Sequence, residues 1–177
     1  MNELKRIFHE LFRKEPTIVK IPSWSHYSPK EFILANGIAP IEYMHIALSP
    51  RTDSQFHFYN DSLQSHISGM VREIEGNNGW SAPMESVAKQ MIKEALPIRG
   101  FDFYLMGMPK KNKGKTYELL VKAGTALALN EAFDLGHDRL MLSTVVSRTN
   151  GDSILDTLFL SQIFQHSEIT GQRLEKI

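Results

Sequence analysis

Four lysines, Lys110, Lys111, Lys113 and Lys115, fall within six residues of the stretch Pro109-Lys110-Lys111-Asn112-Lys113-Gly114-Lys115-Thr116, between an apolar strand-like run and a segment with helical spacing. A strand–loop–helix junction aims free backbone amides and roughly half a positive charge at whatever occupies the loop, so an anion is favoured there. Phosphate is the natural guest. Lys111, Lys113, Gly114, Lys115 and Thr116, with Asn150 from further along, are the expected holders of a phosphorylated small ligand, coenzyme A or a nucleotide. For acid–base work the candidates beside that loop are His137 and Asp102. The same lysines also suit a solvated surface turn.

A second group, His45, Asp53, His57 and Asp61, contains three members spaced by four, which on a helix would share one face and suit a divalent metal or general acid–base work. The local pattern reads as strand and turn instead. Alternation then sets Phe56 and Phe58 on one face and His57 on the other, so no metal is expected. Ser28 to Leu48 permits a helix–turn–helix, but its second helix would offer Glu42 and His45 and no basic face, so nucleic acid is not expected as a partner.

Gly114-Lys115-Thr116 ends like the phosphate loop of P-loop nucleotide hydrolases, but G-x-x-x-x-G-K-[ST] needs a glycine where Pro109 stands, and Gly107 lies two residues too early. From Phe101 to Leu160 the order resembles the coenzyme-A segment of GNAT-type acyltransferases: strand, basic glycine loop, helix, strand, then an asparagine opening the next helix. Lys111, Gly114 and Thr116 stand at the loop positions, Leu140 to Val145 at the following strand, and Asn150 at the asparagine. The resemblance implies a pyrophosphate held by backbone amides and group transfer of acyltransferase type. Thr116 departs from it by replacing a small residue, and the two helices ahead of the loop strand depart from the family's antiparallel strands.

Positioning these residues falls to elements legible by period. Leu4, Ile7, Phe8, Leu11 and Phe12 form one helical stripe closed by Pro16; Thr17 to Ile21 reads as a strand; Ser28-Pro29-Lys30-Glu31 is a capping box. Ile41 to Leu48 and Gln55 to Tyr59 are expected as two strands, followed by helices at Leu63–Ile74 and Met84–Ala95. A strand at Phe101–Met108, a helix at Tyr117–Leu135, a strand at Arg139–Val146 and a helix at Ile154–Phe164 complete the order. Strand–helix–strand from Phe101 to Val146 predicts a parallel unit with a right-handed crossover. A competing reading makes Thr116–Ala123 and Thr125–Phe133 two strands of a meander. The expected architecture is α/β or α+β, one domain over residues 1–177: a sandwich with a small mixed sheet flanked by helices, and 164–177 as a partly ordered tail.

Composition closes off other classes. With no cysteine there is no disulfide, thiolate nucleophile, iron–sulfur cluster or cysteine-ligated zinc, and nothing calls for haem. Lys plus Arg and Asp plus Glu balance at 20 each, so no global field recruits nucleic acid or membrane. The charged opening residues exclude a secretory signal, and no apolar run spans a bilayer, so cytoplasm is expected. The eight methionines and the loop residues Trp24 and Trp80 suit a core, or an apolar groove for a protein partner. A non-catalytic interaction module, such as a regulator, chaperone or immunity-like partner, is therefore the alternative to a ligand-binding domain.

Overall fold

Six strands, each alternating its side chains between two faces, build the framework on which every candidate residue sits. A computed structural model describes residues 1–23, 28–31, 42–76, 79–107, 114–150 and 154–171. The helices are α1 (Asn2–Phe12), α2 (Ala82–Lys93), α3 (Gly114–Ala132), α4 (Arg139–Asn150) and α5 (Ile154–His166). The strands are β1 (Thr17–Ser23), β2 (Glu42–Pro50), β3 (Gln55–Asn60), β4 (Ser65–Met70), β5 (Phe101–Met106) and β6 (Glu168–Thr170), in the sheet order β4-β3-β5-β2-β1-β6. Among the described residues only β3 and β5 pair in parallel, which makes the sheet mixed and, of the expected α/β or α+β architectures, the fold an α/β sandwich with helices flanking the sheet.

Alternation divides the core. Val19, Ile21, Met44, Ile46, Phe58 and Phe103 point to one face and pack against α2 to α5. On the other face, Ile18, Ala47 and Tyr104 meet Leu4 and Phe8 of α1, which needs only one apolar stripe because only one side of it is covered. Helix α3 is different: 14 of its 19 residues are buried, since it lies between the sheet and helices α2, α4 and α5. Gly124 lets it settle there. A Cβ at that position would collide with Cδ1 of Ile21 and approach Cδ1 of Ile46 at 2.8 Å.

The capping box forms as expected: the Ser28 N–H donates to Glu31 Oε2 at 2.7 Å, and the Glu31 N–H to Ser28 Oγ at 3.2 Å. Residues 32–41 lie outside the described set. Because 42–50 extend as β2, no recognition helix forms there.

Two expected elements fold otherwise. The helix predicted over Leu63–Ile74 is strand β4 followed by a short 3₁₀ turn at Val71–Glu73, with Gln64 left-handed at φ 47° in the hairpin turn. Ladder pairing from Gln55↔Met70 to Asn60↔Ser65 outweighs the helical stripe, because β3 has no other antiparallel neighbour to satisfy that edge. The strand predicted over Arg139–Val146 is helix α4. Asp138 caps it, accepting the Met141 N–H on Oδ1 at 2.8 Å, and the buried Leu142, Val145 and Val146 fall on one helical face. The predicted crossover from Phe101 to Val146 therefore does not exist; β5 takes β3 as its parallel neighbour instead. The two-strand reading of 116–133 also fails, since α3 runs unbroken through it. Within the expected tail, residues 168–170 pair with β1 as β6.

Candidate functional site

The buried helix α3 begins at Gly114, whose φ of +45° is left-handed and whose missing side chain leaves open space. The first N–H groups of a helix have no partner within it, and Gly114, Lys115 and Tyr117 of this first turn line a cavity of about 770 Å³. Its far wall is the turn carrying Gly76 (φ +80°) and Gly79 (φ +56°), followed by Trp80 and the first turn of α2 with Pro83 and Ser86. Thr149, at the end of α4, closes one side. Trp80 is fixed by donating its indole N–H to Ser65 Oγ at 3.1 Å while its ring packs on the core, so the wall is tied to β4.

Successive turns of α3 supply the polar lining. Lys115 pairs with Asp156 of α5 at 3.1 Å, and Lys122, almost wholly buried, pairs with Glu118 one turn earlier at 2.7 Å. Glu118 is the only acid lining the cavity among the described residues. Tyr117, 5% exposed, also lines it, and its hydroxyl has no partner among the described residues; burial pushes the phenol up to about 12. The site can thus offer an anion a helix amino end and the exposed ammonium of Lys115.

Of the residues predicted for a phosphate site, Gly114, Lys115 and Thr116 form the start of α3. Lys111 and Lys113 lie outside the described residues. Asn150 ends α4, beside the cavity-lining Thr149. The acid–base candidates sit elsewhere. His137 follows the opposite end of α3, where its N–H donates to Asn130 Oδ1 at 2.9 Å and its carbonyl accepts from Asn130 Nδ2 at 3.1 Å. A 19-residue helix, about 28 Å long, separates it from Gly114. Asp102 is on the α1 side of β5, 1% exposed and held by Arg51 and Lys14. The acyltransferase order is likewise not met, because the strand it requires at 140–145 is part of α4.

The histidine and acid group does not assemble. Asp53 is clasped by Arg51, Asp61 accepts the Tyr104 hydroxyl at 2.6 Å, and His45 faces the α1 side opposite Lys20. His57 meets His66 of β4 instead, with Nδ1 and Nε2 3.2 Å apart. Among the described residues no set of three or more histidines and acids stands ready for a metal. His66 is hidden in the sequence because the residues of β4 carry helical spacing; Lys122 and Tyr117 leave a signal, since a lysine inside the apolar run Leu119–Leu129 is a visible anomaly.

His45 carries a testable pH effect. Burial, helped by the amino terminus and Lys20, lowers its pKa from the ordinary imidazole range. Just below about pH 6.5 the unfolded chain binds a proton that folded His45 refuses, so stability rises with pH in that window and is complete above it. His45→Gln is expected to shallow the dependence of urea-unfolding free energy on pH there. It does not abolish it, because burial and Arg51 lower His57 in the same direction.

No family model and no curated protein matches the sequence. Solved structures do match in fold. Galactokinase of Lactococcus lactis, complexed with galactose, superposes with a TM-score of 0.68 at 19% identity over 89% of this chain and 45% of its own. Mevalonate kinase of Methanococcus jannaschii gives 0.59 at 16% over 85% of this chain and 49% of its own. Phosphomevalonate kinase of Streptococcus pneumoniae, in complex with phosphomevalonate and AMPPNP, gives 0.55 at 17% over 85% and 46%. The chain therefore spans a little under half the length of these kinases and shares the fold of that part.

Proposed function

We propose that the chain binds a phosphorylated small ligand, a nucleotide foremost, with its phosphates against the amino end of α3. The observation that carries this is the opening of that helix end, at a side-chain-free Gly114, onto a cavity large enough for a nucleotide. Support comes from the fold, shared with a little under half of each of several kinases, one of them in complex with phosphomevalonate and AMPPNP. In this reading backbone N–H groups of the first turn and the helix dipole meet the phosphate charge. Lys115, 43% exposed, swings from Asp156 to a phosphate oxygen, and the phosphate charge offsets the loss of the ion pair to the buried Asp156. Tyr117 and the ion pair of Lys122 with Glu118 complete the lining. Phosphoryl transfer, where it occurs, would draw on parts of the kinase architecture that this chain does not span. Such a ligand suits a cytoplasmic protein; among the described residues no helix is long and apolar enough to cross a membrane.

The test is thermal unfolding with AMPPNP, coenzyme A, inorganic phosphate and galactose. A nucleotide at a hundredfold excess over its Kd is expected to raise the midpoint by about 5–10 °C. Lys115→Gln should remove most of that rise; because it also takes from the buried Asp156 its cation, the unliganded midpoint falls, and the response is read as the shift from the variant's own midpoint. An equal rise in the variant, or none in the wild type, overturns the site.

A second reading is favoured by α4 and α5, where Leu140 and Ile154 are each 77% exposed and Met141 and Leu158 nearly half so. Apolar side chains on that scale suit a surface covered by further polypeptide, here the counterpart of the kinase segments this chain does not span. Replacing Leu140 and Ile154 with glutamine would then abolish association with such a segment and leave the nucleotide response intact.

A further inference from the structure

The β3–β4 hairpin places two imidazoles on the sheet face that α1 leaves open, since α1 lies over β2 and β5. His57 faces Ser68 and Tyr59 faces His66 across the ladder, so the two histidines are diagonal neighbours on one face. Their planes are within 5° of parallel, with centroids 5.3 Å apart, too far for overlaid rings; the edges meet instead, Nδ1 of His57 to Nε2 of His66 at 3.2 Å. Two nitrogens bound to one tetrahedral zinc at about 2.0–2.1 Å each stand about 3.3 Å apart, so the pair already has the ligand spacing. Tyr59, stacked on His66 at 4.1 Å between centroids and itself edged by Phe12 of α1 at 5.3 Å, holds the exposed ring in place.

We propose that His57 Nδ1 and His66 Nε2 form a two-histidine site for a divalent transition-metal ion, Zn²⁺ foremost, with water completing the coordination. Imidazole nitrogen is the donor this class of ion prefers. Binding replaces the hydrogen bond between the rings. The proton shared between them stays on its own ring and moves to the other nitrogen, Nε2 of His57 or Nδ1 of His66, so both facing lone pairs are free and no net proton is lost. The nearby cation does not forbid the charge, because Arg51 is met by Asp53 and Asp102 together. His66 is solvent-exposed, which gives the ion its route in. With only two protein donors the site is exchangeable, in contrast to the closed four-ligand sites that hold a fold together.

The test is calorimetric titration of the untagged chain with ZnCl₂ in a buffer free of phosphate, alongside His57→Gln, His66→Gln and His45→Gln. One equivalent is expected to bind the wild type and His45→Gln alike. Both partner variants should weaken binding by more than about tenfold, the least that loss of even a supporting partner costs a metal site. His66 is exposed, so His66→Gln keeps its fold, and its circular dichroism should be unchanged. Equal Zn²⁺ affinity in wild type and His66→Gln overturns the proposal, as does no uptake by the wild type up to millimolar Zn²⁺.

Discussion

Replacing Gly124 with valine is expected to cost about 3 kcal/mol of unfolding free energy, read by urea denaturation, through overpacking of α3 against the sheet. The sign of the milder change is the sharper test. In the middle of an exposed helix, Gly→Ala stabilises by about 1 kcal/mol. At Gly124 even the alanine methyl would run into the Ile21 side chain and come within 2.8 Å of Ile46, both fully buried, so Gly124→Ala is expected to destabilise. Ile21→Ala makes room by deleting the side chain that is struck. The double variant Gly124→Val, Ile21→Ala should therefore lose less than the sum of the two single losses. Strict additivity would place the close approach somewhere else.

Arg51→Met should have a comparable effect for a different reason. The guanidinium donates to both oxygens of Asp53, at 2.8 and 2.7 Å, and to Asp102 Oδ1 at 2.8 Å. These carboxylates, Asp53 first, push its pKa further above the usual range, and Arg51 in turn holds Asp53 well below the usual carboxylate range. Asp102 is the vulnerable partner: at 1% exposure it cannot recover water, and without Arg51 it keeps only Lys14 at 3.2 Å. Leaving a buried charge so poorly compensated costs about 3 kcal/mol. Asp102→Ala should cost less, because Arg51 and Lys14 both reach solvent. Adding Asp102→Ala to Arg51→Met should restore part of the loss, and failure to do so would deny the buried carboxylate its role. The same clasp withdraws Asp102 from the acid–base part that its position in the sequence suggests.

Where one period dominated, the chain could be read directly. The stripe from Leu4 to Phe12 became α1, the alternation of Phe56, His57 and Phe58 became β3, and Phe101–Met106 became β5. Where two patterns overlapped, tertiary pairing decided. Leu63, Ile67, Met70 and Ile74 fit a helical face, but Ile67 lies opposite Phe58 in a ladder that no local window reveals. Arg139–Val146 is rich in residues that favour strands, yet the cap from Asp138 and the burial of Leu142, Val145 and Val146 against neighbouring helices made it α4. The site followed the same division. Gly114, Lys115 and Thr116 were legible because a glycine and a lysine run mark a helix start, and that start is where the structure puts them. His66 was not, since its value depends on strand pairing, and His137 and Asp102 looked adjacent to the loop only along the chain.

Strand β6 is three residues long, yet among the described residues Ile18, Val19 and Lys20 have no other strand neighbour on that side of the sheet. During synthesis the outer edge of β1 therefore stays bare until some 150 further residues have left the ribosome. A nascent chain halted before Glu168 carries an unprotected edge able to recruit a strand from another molecule. Residues 168–170 thus act as a seal against aggregation that arrives long after the edge it covers.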